Sequence, residues 1–265
     1  MVGGYSAPPG TATVSLTTTD MVQRIVARVD ATGNVDISTR LSTAFSAGSP
    51  RGVASDDGVN LFVCGSTGGV YSIPYGTTGG TQILGTPANM RTCRIFDGQF
   101  FGSSASGAFK SVFSVTEPDG SFPSVPGATA TLLPGLSTTN TSNYGFVLLD
   151  HDPTVAGLDT LYVTDDGVVS AGSTGNPGVQ KWTYNGRADQ WQLAATYTDG
   201  LGTTGARSIT AVDNGATVTL IVTTGAPPPN NVIVYVDDGS ANPAAHVIAT
   251  STAVTVYRGV ALAPQ

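Results

Sequence analysis

The sequence predicts an all-β fold, a five-bladed β-propeller of four-stranded antiparallel blades, on three observations. First, a strand-turn-strand unit recurs as RGVASDDGVNLFV from Arg51, RTCRIFDGQFFGSS from Arg91, YGFVLLDHDPTVAGLDTLYVT from Tyr144 and RSITAVDNGATVTLIVTT from Arg207. A lone first strand, YRGVALAP, follows from Tyr257. Aligned on the residue after the Arg or Tyr, the units step by 40, 53, 63 and 51 residues, with 58 more from Gly259 through the termini to Gly52. Repeats of this period mean propellers, solenoids or arrays. Second, each interval holds four strand-like runs parted by Gly, Asn, Asp and Pro clusters, which is the content of a propeller blade. Third, helix signals are nearly absent: no long window places apolar residues at i, i+3, i+4 and i+7, and Glu occurs once, at Glu117.

The blades are expected at about 257–265 plus 1–41, 51–84, 91–133, 143–197 and 207–252, in a single domain spanning 1–265. In the first, Val2–Tyr5, Arg24–Asp30 and Val35–Leu41 read as the second, third and fourth strands. The C-terminal Tyr257–Pro264 then completes the N-terminal blade with its first strand, closing the fold and removing two open sheet edges. Ser6–Asp20, rich in Pro, Gly and Thr, reads as a loop. In the second blade, Gly52–Ala54 and Leu61–Cys64 are joined across Asp56-Asp57-Gly58, a turn that needs positive φ and so favours Asp-Gly. Val70–Tyr75 and Thr81–Leu84 complete it. The third blade turns at Asp97-Gly98 and adds Phe109–Val115 and Thr129–Leu133. The fourth carries an enlarged first turn, Asp150 to Asp159, a long loop from Asp165 to Gly178, and Trp182 and Trp191, read as packing groups more than as a sugar platform. The fifth turns at Asp213-Asn214-Gly215, carries the loop Ala226–Asn230, and ends in Val232–Val236 and His246–Thr250.

Composition bounds the function. The chain has 265 residues, 40% hydrophobic and 11% charged, with a net charge of -7 and only two lysines, Lys110 and Lys181. Nucleic acid and anionic membranes are bound chiefly through clustered Lys and Arg, so neither is expected as a partner. No run of 18 apolar residues suggests a membrane span, and the first ten residues have neither the basic start nor the apolar stretch of a signal peptide. Low Lys with abundant Thr, Ser, Gly and Asn suggests a secreted protein, expected as a monomer. Cys64 and Cys93 read as two small buried hydrophobes in preference to a disulfide.

Along the repeated first strand, mostly small residues flank a larger apolar one, a packing code. Two departures from it suggest binding. Arg51, Arg91, Arg207 and Arg258, with Tyr144 in the remaining blade, open the strands; together they could ring a channel mouth and hold a carboxylate or phosphate bidentately. The favoured reading is that each Arg pairs with backbone carbonyls or an Asp of the adjoining blade and latches the ring. Arg94, a large cation at a position mostly held by small residues, is a further candidate contact.

Catalytic groups are thin. Asp165 and Asp166 are the candidate acid or base, followed by the pair Asp237 and Asp238, with solvated turn residues as the competing reading. Asp150, Asp152 and Asp159 have the oxygen-rich composition of a structural Ca²⁺ site but lack EF-hand spacing, so no cofactor is expected. His151 and His246 lie far apart in the pattern, and no serine has a Gly-x-Ser-x-Gly context.

Several stretches resemble a group of uncharacterised bacterial secreted β-propeller proteins: Tyr5-Ser-Ala-Pro-Pro-Gly10, Arg24-Ile-Val-Ala-Arg-Val-Asp30, Ser103-Ser-Ala-Ser-Gly-Ala-Phe109, Leu161-Tyr-Val-Thr-Asp165, Gln180-Lys-Trp182 and Arg258-Gly-Val-Ala-Leu-Ala-Pro264. The resemblance implies fold and export, and no catalytic residue. Two functions remain open: a non-catalytic extracellular module binding a small anionic or carbohydrate ligand through its channel-mouth face, or a hydrolase of carbohydrate or another extracellular polymer.

Overall fold

Alternating apolar strands and Asp-Gly turns build five four-stranded sheets in chain order, seen in a computed structural model that describes residues 1–139, 141–167, 177–225 and 227–263. The fold is a five-bladed β-propeller. Blade 1 joins β1 (Val2–Tyr5), β2 (Arg24–Val29) and β3 (Val35–Leu41); blade 2 begins with β4 (Pro50–Ala54), β5 (Asn60–Gly65) and β6 (Val70–Pro74). A two-residue strand, β7 (Thr78–Gly79), crosses back to blade 1, and β8 (Thr81–Leu84) completes blade 2. Blade 3 holds β9 (Thr92–Phe96), β10 (Gln99–Ser104), β11 (Ser111–Thr116) and β12 (Thr129–Leu132). Blade 4 holds β13 (Asn143–Leu149), β14 (Thr160–Asp165), β15 (Gly178–Asn185) and β16 (Gln190–Tyr197). Blade 5 holds β17 (Ala206–Asp213), β18 (Val218–Thr224), β19 (Asn231–Asp237) and β20 (His246–Thr250). Helix among the described residues is limited to single 3₁₀ turns at Val14–Leu16 and Gly107–Phe109.

The expected first turns form as read. Gly58, Gly98 and Gly215 take φ of 70°, 64° and 82°, where a Cβ would be strained. Asp57 fixes its turn by accepting the Val59 and Asn60 amides, both at 2.7 Å.

Residues Met1–Gly107 and Phe113–Thr131 form one compact unit, and Ala108–Val112 with Leu132–Leu262 a second. In the first, Val26, Leu41, Phe45, Leu61, Val63 and Ile73 interlock between blades 1 and 2. Phe62 meets Phe100 and Phe122 edge-on, at 5.6 and 5.2 Å, between blades 2 and 3. In the second unit Phe146 and Ile209 are fully buried, and Tyr197 packs on Tyr235 at 5.8 Å.

Neighbouring first strands approach closely at the small position of the repeat. A Cβ on Gly52 would stand 2.7 Å from Cys93 N, and one on Gly145 would stand 3.1 Å from Ile209 N. Ser208 holds the same position in β17, and its Oγ accepts Val260 N at 3.3 Å. The C-terminal segment is therefore seated against blade 5 as β9 is against β4 and β17 against β13.

The expected closure of blade 1 needs correction. Residues 251–263 carry no strand, β1 forms its ladder with β2 alone, and Pro264 lies outside the described residues. Side chains take the backbone groups that a ladder would use: Asn230 Oδ1 accepts Tyr257 N at 2.8 Å and its Nδ2 donates to Tyr257 O at 2.9 Å. The fourth strand of blade 1 is instead β7, which pairs with β3 in parallel.

Candidate functional site

The residue opening the first strand is a β-bulge in three blades: register shifts fall at Pro50/Gly52, Asn143/Phe146 and Ala206/Ser208. A bulge breaks the alternation of side chains and re-aims the extra residue. Arg51, re-aimed in this way, donates from Nη1 to Asn89 Oδ1 at 2.7 Å and to Met90 O at 2.9 Å, both just ahead of blade 3. Arg207 donates from Nη2 to Asp166 Oδ2 at 2.6 Å and lies over the Tyr144 ring at 5.0 Å. Thr164 Oγ1 joins the same contact, donating to Arg207 O at 2.7 Å. These two arginines tie one blade to the next.

The other proposed contacts differ in setting. Arg91 precedes β9 and donates its amide to Ser103 O at 2.8 Å. Arg94 is half-buried within β9, and burial lowers its pKa. Arg258 is exposed on the strandless C-terminal segment.

Asp165 ends β14 and Asp166 follows it, beside Tyr144 and Arg207. The structure thus gathers four sequence-predicted residues, but around internal partners. Asp165 is buried, at 1% exposure; its Oδ2 accepts Ser142 N at 2.9 Å and its Oδ1 accepts Gly167 N at 2.8 Å. Burial pushes its carboxyl up, against the pull of those two amides, and the neighbouring Asp166 charge adds to the rise. Asp166 spends Oδ1 on the Ser142 hydroxyl at 2.6 Å and Oδ2 on Arg207. Glycoside hydrolysis needs two carboxyl groups facing across a bond; these two are consecutive in the chain and both bind protein donors. The rest of the predicted loop, 168–176, lies outside the described residues, as does Ala226 of the blade 5 loop.

The acidic turn of blade 4 is organised by Asp159, which is buried at 2% exposure. Its Oδ2 accepts the amides of His151 and Asp152, at 3.0 and 2.9 Å, and its Oδ1 accepts the Thr160 hydroxyl at 2.6 Å. Asp152 caps Thr154 locally. Asp150 sits at the start of the turn, directly after β13. Among the described residues no group of three His, Cys, Asp or Glu is gathered to hold a metal ion.

Two arrangements were not visible in the sequence. Asp237, at the end of β19, accepts from Lys181 Nζ at 2.6 Å and from Tyr162 OH at 2.5 Å. Burial pushes the Asp237 carboxyl up, but the Lys181 and Tyr162 hydrogen bonds outweigh it and the net shift is downward. Asp238, the next residue, accepts the Ser240 amide at 3.0 Å. Lys181 faces Tyr162 across the β14/β15 ladder, but their carboxylate arrives from another blade.

The second arrangement is an open depression of about 360 Å³ at the β2/β3 hairpin, lined by Arg28, Asp30, Asn34, Val35, Asp36 and Tyr75. The Arg28 guanidinium lies 4.9 Å over the Tyr75 ring. Asp30 is tied into the turn by Thr32 and Asn34, which hold its carboxyl down at about 2. The only sequence signal was the hairpin itself, since Tyr75 comes from the neighbouring blade.

No family model and no curated protein matches this chain. Similar solved structures include the WD40 β-propeller domain of Doa1, at 12% identity over 91% of this chain and 65% of that one, with a TM-score of 0.49. A Bacteroides thetaiotaomicron protein of unknown function is 15% identical over 77% of this chain and 54% of its own, at 0.47. A computationally designed protein, Ika8, is 8% identical over 91% and 62%, at 0.48. This chain spans between half and two thirds of the length of those three, and its fold assignment rests on its own sheet order. No helix among the described residues is long and apolar enough to cross a membrane.

Proposed function

We propose that this chain is a non-catalytic extracellular binding or scaffold module. The observation that carries the reading is that Asp165 and Asp166 have their carboxylate oxygens committed to backbone amides, a hydroxyl and Arg207. A general acid or base needs a position within hydrogen-bond reach of a substrate, and both groups are engaged elsewhere.

The expected binding surface joined Arg51, Arg91, Arg94, Tyr144, Arg207 and Arg258. The engagement of Arg51 and Arg207 supports moving ligand contact to the depression beside Tyr75. Arg28 is exposed there and forms no ion pair among the described residues, and Asp36 and Asn34 add polar groups beside an aromatic ring. Such a mixture suits a small hydroxylated or anionic ligand, a saccharide or a carboxylate. Secretion and a monomeric state belong to the same reading.

Calorimetric titration with neutral oligosaccharides, uronates and small carboxylates tests it. The expected result is binding by one of these classes, weakened about tenfold or more by Tyr75→Ala or Arg28→Ala, an order set by the loss of 1.4 kcal/mol of contact. Turnover on a glycoside and ester panel that disappears in Asp166→Asn would overturn it.

A further inference from the structure

Cys64 on β5 and Cys93 on β9 come from neighbouring blades of the first unit, and both are fully buried, at 0% and 1% exposure. Gly52 stands between them. It is paired opposite Cys64 in the β4/β5 ladder, and a Cβ on it would lie 3.0 Å from Cys64 Sγ and 2.7 Å from Cys93 N. A missing side chain therefore lets the second strand of blade 2 come up to the first strand of blade 3 with a thiol on each. Cys93 Sγ is turned toward Phe62 O, at 3.7 Å, and Phe62 lies two residues before Cys64, on the same side of β5. Burial raises the Cys93 thiol well above its ordinary range, and its hydrogen bond to Cys64 adds to that rise.

We propose that Cys64 and Cys93 are a covalent modification site, a thiol pair that closes to a disulfide linking blade 2 to blade 3 when the chain folds in an oxidising medium. The oxidant is a small-molecule disulfide such as oxidised glutathione. One cysteine thiolate displaces one glutathione thiol to form a mixed disulfide. The second cysteine thiolate then attacks the protein sulfur of that adduct and releases the second glutathione thiol. The two cysteines lose two protons and two electrons, and the glutathione disulfide takes up both. Because the thiolate is the attacking species, the pair, buried on both sides, reacts slowly in the folded protein and readily while blades 2 and 3 are still coming together. This inference is independent of the binding reading.

The test is to unfold the full chain, refold it with oxidised and reduced glutathione, and count thiols with a maleimide in denaturant. The pair predicts no reactive thiol, an intact mass about 2 Da lower, since a disulfide removes two hydrogens, and a tryptic peptide Thr92–Arg94 joined to Gly52–Arg91 until reductant is added. Closing this loop raises the melting temperature by about 5–10 °C over the same protein in reductant. That comparison needs no variant; Cys64→Ser, folded in reductant, serves as the control whose melting temperature the oxidant leaves unchanged. Two reactive thiols after oxidative refolding, or glutathione retained on either cysteine, would overturn the proposal.

Discussion

Asp237 shows how a residue that looks chemical on paper becomes structural in place. In the sequence it is half of an acidic pair near a turn. In the fold it is 4% exposed and receives Lys181 and Tyr162 together. A buried carboxylate without such partners would be costly, and here the partners hold its pKa below the ordinary value of 3.8. Its stabilisation is therefore complete above that value and is lost as pH falls through the lower, folded one. Asp237→Asn is expected to lower the melting temperature at neutral pH, with the gap to the natural chain closing as pH drops below 3.8. Scanning calorimetry across pH 2–7 reads this directly; a gap that is independent of pH would contradict it. Asp165 has the opposite sign. Burial raises its carboxyl, so its favourable share is complete below 3.8 and fades as pH rises through the folded value.

At the scale of the strand, the repeated first strand explains why small residues recur. Gly145 has a conformation open to any residue, but a Cβ there would stand 3.0 Å from Arg207 O. Gly259 occupies the same place in the repeat, with nothing within 4 Å of its Cβ position. Gly145→Ala is expected to cost about 1–3 kcal/mol through overpacking, while Gly259→Ala stays within about 0.5 kcal/mol. Urea unfolding of the two variants distinguishes them, and equal costs would remove the packing account. Much of this scale was legible beforehand: apolar alternation and Asp-Gly turns mark most strands of blades 2 to 5 within a residue or two. The bulges were not, because a register shift depends on the partner strand. Nor was β7, two residues of Thr and Gly that pair with β3 only because the chain after β6 passes beside it.

At the scale of the molecule, the count of five blades followed from the spacing of the repeat, since a blade is a local unit of consecutive strands. Contacts between blades were harder to read. The latch expected of the strand-opening arginines forms at Arg51 to Met90 and Arg207 to Asp166, 39 and 41 positions apart, whereas Lys181 to Asp237, 56 positions apart, has no local pattern that announces it. The C-terminal RGVA, identical to Arg51–Ala54, is first-strand sequence that takes no strand in the fold; Val260 N donates to Ser208 Oγ at 3.3 Å. In place of the expected ladder, Asn230 engages both backbone groups of Tyr257. Arg51, Arg207 and Asp166, all read in the sequence as site candidates, fasten one blade to the next.

A double-mutant cycle of Asp166→Asn and Arg207→Gln, followed by chemical unfolding, tests that claim most directly. A shared ion pair between blades 4 and 5 predicts a coupling of about 1 kcal/mol or more. Costs that add to within about 0.3 kcal/mol would show two independent surface groups, and would return both residues to the candidates for ligand or substrate contact.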